Sequence, residues 1–133
     1  MTRATARIGT IDYATQITVG HREFIADEPA DNGGQDAGLA PYDLLVSALG
    51  ACTAITLRMY AQRKGWPLDE ALVALHFYRE DGAEKIERVV TLTGDLDNAQ
   101  RERLAQVCER TPVTLTLKNG LAITTRLTDT KLR

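Results

Sequence analysis

The feature that most constrains this sequence is an unbroken segment from Tyr42 to Lys64 that contains no proline. Pro41 suits the first position of a helix, because its missing N–H would have no partner there. Gly65 stands where a left-handed helix cap is expected, and Trp66-Pro67 prevents the helix from continuing. The pattern therefore predicts one α-helix of about 24 residues, about 36 Å long.

The polarity of this helix is unusual, because no residue from Leu44 to Leu57 is charged and apolar side chains occur on every side. A helix that is apolar all round has to be covered all round. Its length is similar to the diameter of a domain of this size, so one chain has little left to cover it. We therefore expect a homodimer in which a second copy supplies the missing cover through a large apolar interface.

The segments before the helix predict strands and a loop. Short segments of alternating polarity at Arg3–Thr10, Tyr13–Val19 and Arg22–Ala26, separated by turn residues, are typical of an antiparallel meander. The segment Asp27–Gly38 is rich in aspartate, glycine and proline. We expect it to be a loop in which no residue packs.

The segments after the helix predict a hairpin and a second helix. Leu72–Tyr78 and Ile86–Thr93 have strand composition and flank the turn residues of Glu80–Ala83. Asp97 is followed three residues later by Gln100, which predicts a capping box at the start of a helix that continues to about residue 110.

The end of the chain predicts a return to strands. Pro112 ends the second helix, and Val113–Leu117 and Leu121–Leu127 have the composition of one or two short strands around Asn119-Gly120. The predicted order is βββ–α–ββ–α–β. We therefore expect an α+β fold with antiparallel sheets around the long helix, in a single domain over residues 1–133.

Composition excludes several classes of function. Hydrophobic residues make up 44% of the chain and charged residues 26%, as in an ordinary globular protein. The net charge of -2 provides no basic surface for nucleic acid or an anionic membrane. The N-terminus lacks a signal-peptide pattern, so we expect a cytoplasmic protein whose cysteines remain thiols. No histidines or cysteines have metal-ligand spacing, so no metal or bound cofactor is expected.

Cys52, in the middle of the long helix, is the main candidate for chemistry. It could be a small buried hydrophobic residue, as unpaired cysteines often are, or a reactive thiolate. The N-terminus of its own helix is three turns away, too far to stabilise a thiolate. A reactive Cys52 therefore needs a cation from elsewhere in the fold or from a partner chain.

The stretch Pro41–Cys52, Pro-Tyr-Asp-Leu-Leu-Val-Ser-Ala-Leu-Gly-Ala-Cys, resembles the start of the central helix in the family of osmotically inducible protein C (OsmC) and organic hydroperoxide resistance protein (Ohr). The preceding Gly-Gly loop, the following hairpin and the second helix ending in Thr111–Leu117 agree, so the resemblance covers nearly the whole chain. It implies an OsmC-like, intertwined α+β homodimer with a site at the subunit interface.

The resemblance also implies thiol peroxidase chemistry, with Cys52 as the sulfur that attacks the peroxide. The resulting sulfenic acid would condense with a second cysteine, and an external dithiol would reduce the disulfide. In the family the second cysteine usually precedes the proline after the second helix, where this chain has Thr111. Cys108 lies one helical turn earlier. It could still resolve Cys52, or it could be a core residue in a member that lacks the resolving thiol.

Two further positions differ from the family. Catalytic members have a glutamate early in the central helix, paired with an arginine from the N-terminal sheet, and Tyr42 occupies the glutamate position here. The adjacent Asp43 is a candidate for its role, or it could instead stabilise the start of the helix. Arg22 and Arg7 are the nearest candidates for the arginine. Arg22 is the one we assign as the partner of a Cys52 thiolate, although an exposed arginine at a strand edge is usually only a solvated charge.

The leading hypothesis is therefore an OsmC-like thiol peroxidase that reduces small organic hydroperoxides with electrons from a dithiol. Its catalytic residues would be Cys52, Cys108, Arg22 and Asp43. The alternative is a non-catalytic homodimer of the same fold that binds a small apolar ligand between its central helices. The charges around Cys52 distinguish the two hypotheses, because the first requires a stabilised thiolate.

Overall fold

The computed structural model describes residues 1–128 and contains two compact units. The first unit combines residues 1–51 with residues 72–91, and the second combines residues 52–71 with residues 92–128. The long helix and both strands of the hairpin pass from one unit into the other. Helices and antiparallel sheets both contribute, and the α+β class is confirmed.

The first unit begins with a three-stranded antiparallel sheet made of β1 (Ala4–Arg7), β2 (Thr15–Val19) and β3 (Arg22–Ala26). The strands lie in the order β1-β2-β3, so the predicted meander is confirmed. β3 has the predicted bounds, whereas β1 and β2 are shorter than predicted.

The loop after β3 is packed around a carboxylate, and the prediction that nothing packs there is wrong. Asp27 is buried, and its two oxygens accept the backbone N–H groups of Glu28, Gln35 and Ala37 at 2.7, 3.2 and 3.1 Å. The hydrogen bond from Ala37 is the largest cause that lowers the pKa of Asp27, and burial acts in the opposite direction. Polar composition indicated a loop, but it could not show that one acidic side chain would collect the backbone donors.

The long helix, α1 (Pro41–Lys64), has the predicted bounds and 24 residues. At its end the N–H of Gly65 donates to the carbonyl of Gln62, and the N–H of Trp66 donates to the carbonyl of Ala61. These two bonds form a Schellman motif, which requires a left-handed residue at the position of Gly65. The φ angle of Gly65 is 69°, so the cap predicted from the sequence is confirmed.

Burial on α1 follows one stripe rather than the whole circumference. The buried residues are four apart along the helix, namely Leu49, Thr53, Leu57 and Ala61. Elsewhere Ile55 is 53% exposed and Met59 is 57% exposed. One chain therefore leaves much of this apolar helix uncovered. The helix is long and apolar enough to cross a membrane, but this is weak evidence because the core helix of a soluble protein passes the same test.

The predicted hairpin is confirmed, with longer strands than predicted. β4 (Glu70–Glu80) and β5 (Ala83–Thr93) form a two-stranded sheet. Asp81 and Gly82 join them with φ angles of 52° and 78°. Two successive left-handed residues of the Asp-Gly type are typical of the type I′ turn that matches the twist of a hairpin.

The second unit contains α2 (Asn98–Cys108), which begins with the predicted capping box. The Asp97 carboxylate accepts the N–H of Gln100 at 2.8 Å, and the Gln100 side chain accepts the N–H of Asp97 at 2.9 Å. These bonds satisfy two N–H groups at the helix start.

The strands predicted after Pro112 are wrong. Residues Pro112–Asn119 form a third helix, α3, and residues 121–128 have no regular secondary structure. Pro112 occupies the first turn of this helix, where proline is tolerated, and Thr111 precedes it in an extended conformation. The β-branched residues suggested a strand, but the buried contacts of Thr114 outweigh this weak preference. The observed order is βββ–α–ββ–α–α.

Candidate functional site

Cys52 lies on α1 beside the buried stripe, and its side chain is half-buried. The backbone N–H of Val113 donates a hydrogen bond to its Sγ atom, with 3.5 Å between nitrogen and sulfur. Val113 is the second residue of α3. The sulfur of Cys52 is therefore located at the N-terminus of a helix that follows it by 61 residues in the chain.

This position favours negative charge on the sulfur. The first N–H groups of a helix have no partner within the helix, so the N–H of Val113 is available to a side chain. The aligned peptide dipoles also give a helix N-terminus a partial positive charge. The N-terminus of α1 is too far away to stabilise a thiolate, and α3 was not expected from the sequence because its residues predicted a strand.

A buried polar cluster lies where α2 meets α3. The hydroxyl oxygens of Thr111 and Thr114 are 2.6 Å apart, and the hydroxyl of Thr114 donates to the carbonyl of Cys108 at 3.3 Å. Thr111 is fully buried. Thr111 occupies the position at which the family usually has its resolving cysteine. Its hydroxyl is buried in the core and is hydrogen-bonded to Thr114.

Cys108 is the last residue of α2 and is 5% exposed. Cys52 and Cys108 both carry thiols and form no disulfide in the structure. The two candidate cysteines therefore lie in the same unit but differ in exposure.

Two arginines of the second unit donate hydrogen bonds to backbone carbonyls. Arg58 donates to the carbonyl of Leu68 at 2.6 Å and to that of Asp69 at 3.3 Å. Arg101 donates to three carbonyls between 3.1 and 3.2 Å, those of Leu92, Gly94 and Leu96. Within residues 1–128, no arginine or lysine forms a hydrogen bond with Cys52.

The other two candidate residues, Asp43 and Arg22, belong to the first unit. Asp43 is the third residue of α1, and its carboxylate accepts the N–H of Ala40 at 3.0 Å. This contact agrees with a role in stabilising the start of the helix. Arg22 is the first residue of β3, it is exposed, and its guanidinium makes no hydrogen bond or ion pair with the described residues.

Tyr42, at the family's glutamate position, contacts a different arginine. Its ring stacks on Phe77 with 4.6 Å between ring centroids. The guanidinium of Arg79 lies 5.4 Å from the Tyr42 ring and 5.1 Å from the Phe77 ring. Arg79 also forms an ion pair with Glu84 at 3.1 Å. This cation–π cluster could not be predicted from the sequence, because Phe77 lies in β4 and Tyr42 lies in α1, far apart along the chain.

No group of three or more histidine, cysteine, aspartate or glutamate side chains within residues 1–128 is arranged to hold a metal ion. The chemistry that this arrangement supports without a metal is that of a half-buried sulfur at a helix N-terminus.

Comparison with known proteins identifies the family. The family model for OsmC-like protein matches residues 33–126, more than half of the chain. The chain belongs to the OsmC-like family. The resemblance inferred from the residues before Cys52 is therefore confirmed. Among curated proteins, no sequence match is found.

Solved structures with the same fold include three OsmC-family proteins. The OsmC-like protein from Mycoplasma pneumoniae is 19% identical, with a TM-score of 0.75 over 89% of this chain and 87% of that one. The organic hydroperoxide resistance protein OsmC from Legionella pneumophila is 20% identical, with a TM-score of 0.64 and coverage of 89% of both chains. The organic hydroperoxide resistance protein OhrB of Bacillus subtilis is 27% identical, with a TM-score of 0.57 over 90% and 92%.

Proposed function

We propose that this OsmC-like protein is a thiol-dependent redox protein that reduces organic hydroperoxides, with Cys52 as the attacking sulfur. The observation that carries the proposal is the position of Cys52 Sγ, 3.5 Å from the N–H of Val113 at the N-terminus of α3. A thiolate is the nucleophilic form of cysteine, and helix N-termini are among the environments that stabilise it. Family membership and the hydroperoxide resistance proteins of the same fold support a redox role.

The first step transfers two electrons from sulfur to the peroxide. The thiolate of Cys52 attacks the terminal peroxide oxygen, and the O–O bond breaks. Cys52 becomes a sulfenic acid, and the other oxygen leaves as an alkoxide that takes up a proton to give an alcohol. The N–H of Val113 would hold the sulfur in place before the attack.

The second step is assigned to an external dithiol. Thr111 offers a buried hydroxyl instead of a thiol, and Cys108 is nearly fully buried at the end of α2. One thiol of the reductant condenses with the sulfenic acid, releasing water and forming a mixed disulfide. The second thiol of the reductant then attacks this disulfide and releases Cys52 as a thiolate.

We further propose a homodimer in the cytoplasm. Ile55 and Met59 expose more than half of their surface on the uncharged helix, and covering such a helix is the reason to expect a partner. A second copy that packs against this face would also exclude water from the entrance to Cys52.

The deciding experiment measures consumption of cumene hydroperoxide with dithiothreitol as reductant. The wild type should turn over, Cys52→Ser should lose all activity above background, and Cys108→Ser should retain most of it. Loss of activity in both variants would instead assign the resolving role to Cys108. If the wild type shows no turnover, the proposal is wrong and the ligand-binding alternative remains.

The dimer is tested separately by light scattering after gel filtration. The mass should be twice 14.6 kDa, and Ile55→Glu should reduce it to one chain. Gln62→Glu adds the same charge at an exposed polar position of α1 and should leave the mass unchanged. A wild-type mass of 14.6 kDa would refute the dimer.

A further inference from the structure

The second unit contains a cavity of about 180 Å³ between α1 and α2. It is smaller than the pockets of about 300–1,000 Å³ that hold drug-sized ligands, so its occupant has to be small. Its lining residues come from α1, from α2 and from the residue two positions after α2, namely Thr56, Tyr60, Arg103, Gln106, Val107 and Arg110. None of them has a role in the proposed peroxide chemistry.

Two exposed arginines, Arg103 and Arg110, border the open side of this cavity and have unused donors. Arg103 donates from Nε to the hydroxyl of Tyr60 at 2.8 Å and from Nη1 to Gln106 at 3.1 Å. Its Nη2 atom makes no hydrogen bond with residues 1–128. Arg110 is exposed, and its side chain likewise has no hydrogen bond or ion pair in the described part of the chain. Among residues 1–128, no carboxylate forms an ion pair with either guanidinium at the edge of the cavity.

Further cations lie close to the ring of Tyr60. The ammonium of Lys64 and the guanidinium of Arg103 each lie 5.7 Å from the centre of the Tyr60 ring. The hydrogen bond from Arg103 lowers the pKa of the Tyr60 phenol, burial opposes this shift, and the charges of Arg103, Lys64 and Arg63 lower it further. The same cations would also attract an anion that lies beside the Tyr60 ring.

The chemistry of the cavity favours an organic carboxylate over an inorganic anion. The planar fork of an arginine matches the two oxygens of a carboxylate. The side chain of Val107 and the ring of Tyr60 present apolar surface next to these donors. An inorganic anion would leave that surface in contact with water, whereas an organic anion would cover it.

We propose that this cavity is a binding site for a small organic carboxylate with an apolar body about the size of a phenyl ring. The carboxylate pairs with Arg103 and Arg110, and the apolar body lies against Val107 and Tyr60. The inference goes beyond the proposed peroxidase function and does not depend on the reactivity of Cys52.

Trp66 provides the signal for a direct test. It is the single tryptophan of the chain, and its ring meets that of Tyr60 edge-on with 5.6 Å between centroids. Titration with benzoate should change tryptophan fluorescence saturably, with a Kd below about 1 mM. Benzyl alcohol has a similar body without the charge and should bind at least about tenfold more weakly. Inorganic phosphate should also bind more weakly than benzoate.

Matched variants locate the site. Arg110→Gln should weaken benzoate binding by about tenfold or more, because it removes a charge-assisted hydrogen bond. Lys85→Gln removes one positive charge from β5, where Lys85 pairs with Glu80 at 2.8 Å, and should leave binding unchanged. Cys52→Ser should also bind normally, whether or not the wild type is a peroxidase.

The proposal would be overturned by the absence of saturable binding of benzoate, by equal affinity for benzoate and benzyl alcohol, or by equal effects of Arg110→Gln and Lys85→Gln. Tighter binding of phosphate than of benzoate would equally refute it, because the apolar wall would then contribute nothing.

Discussion

The two cysteines of this chain lie in one unit, but the sulfur of Cys52 is at the start of a helix and Cys108 is at the end of one. The sulfur of Cys52 is half-buried and receives an N–H from the start of α3. Cys108 is the last residue of α2, nearly fully buried, and its carbonyl accepts the Thr114 hydroxyl. A helix start favours negative charge, whereas a helix end disfavours it.

Because the surroundings of the two cysteines differ in this way, the number and spacing of cysteines do not identify a reactive thiol. The helix terminus that each sulfur meets, together with its exposure, separates a candidate nucleophile from a core residue.

The reactivity of the two thiols should differ by about a hundredfold or more, because alkylation requires an accessible thiolate. A short pulse of iodoacetamide on the native protein, followed by peptide mass spectrometry, should label Cys52 and leave Cys108 unmodified. Unfolding in denaturant should make both react, which serves as the control. Equal labelling of Cys52 and Cys108 in the native protein would contradict the predicted difference in reactivity.

The hydrogen bond from Val113 should contribute about tenfold to the alkylation rate of Cys52. Val113→Pro removes the N–H at a position in the first helical turn, where proline is tolerated. Val113→Ala keeps the N–H and shortens the side chain, so its rate should stay close to that of the wild type. Circular dichroism checks that both variants are folded, and identical rates in folded variants would show that the N–H does not matter.

The hydrogen bonds of Thr114 with Thr111 and Cys108 should affect the stability of the protein rather than the reactivity of a thiol. Thr114→Val deprives the buried hydroxyl of Thr111 of its partner and should cost about 1–2 kcal/mol, lowering the Tm by about 4–8 °C. Thr116→Val, at an exposed position of the same helix, is the matched control and should change the Tm little. Thermal unfolding measures both. An unchanged Tm in Thr114→Val would mean that the buried cluster does not stabilise the fold.

Asp27, like the sulfur of Cys52, accepts hydrogen bonds from backbone N–H groups, but its carboxylate is buried. Its pKa is lowered, so its contribution to stability is complete above about pH 4 and is lost as the pH falls through the lowered pKa. Asp27→Asn should therefore lower the Tm by about 3 °C at neutral pH and by less near pH 3. Unfolding curves at both pH values test this, and a Tm difference that grows in acid would contradict it.

Much of the fold could be predicted from sequence because short-range chemistry specifies it. Proline at the start of α1 and glycine at its end fix the two boundaries, and the Asp-Gly pair fixes the hairpin turn. The capping box of α2 is likewise encoded within four residues. The prediction failed after Pro112, where the propensity of β-branched residues favoured strands and the buried contacts of Thr114 support a helix.

The candidate site was predictable only in part. The residues that precede Cys52 identified the family and the sulfur of interest, and the family model agrees. The sequence did not reveal the N–H of Val113, the Arg79 contact with Tyr42 or the cationic cavity around Tyr60, since each joins residues from separate elements.

Local sequence was enough to predict where α1 begins and ends, the α+β class of the chain, and Cys52 as the candidate sulfur. Only the tertiary structure decided what that sulfur faces, because its hydrogen-bond donor comes from 61 residues further along the chain. Helix ends and turns depend on neighbours in sequence, whereas the charge and exposure around a thiol depend on the elements that folding packs against it.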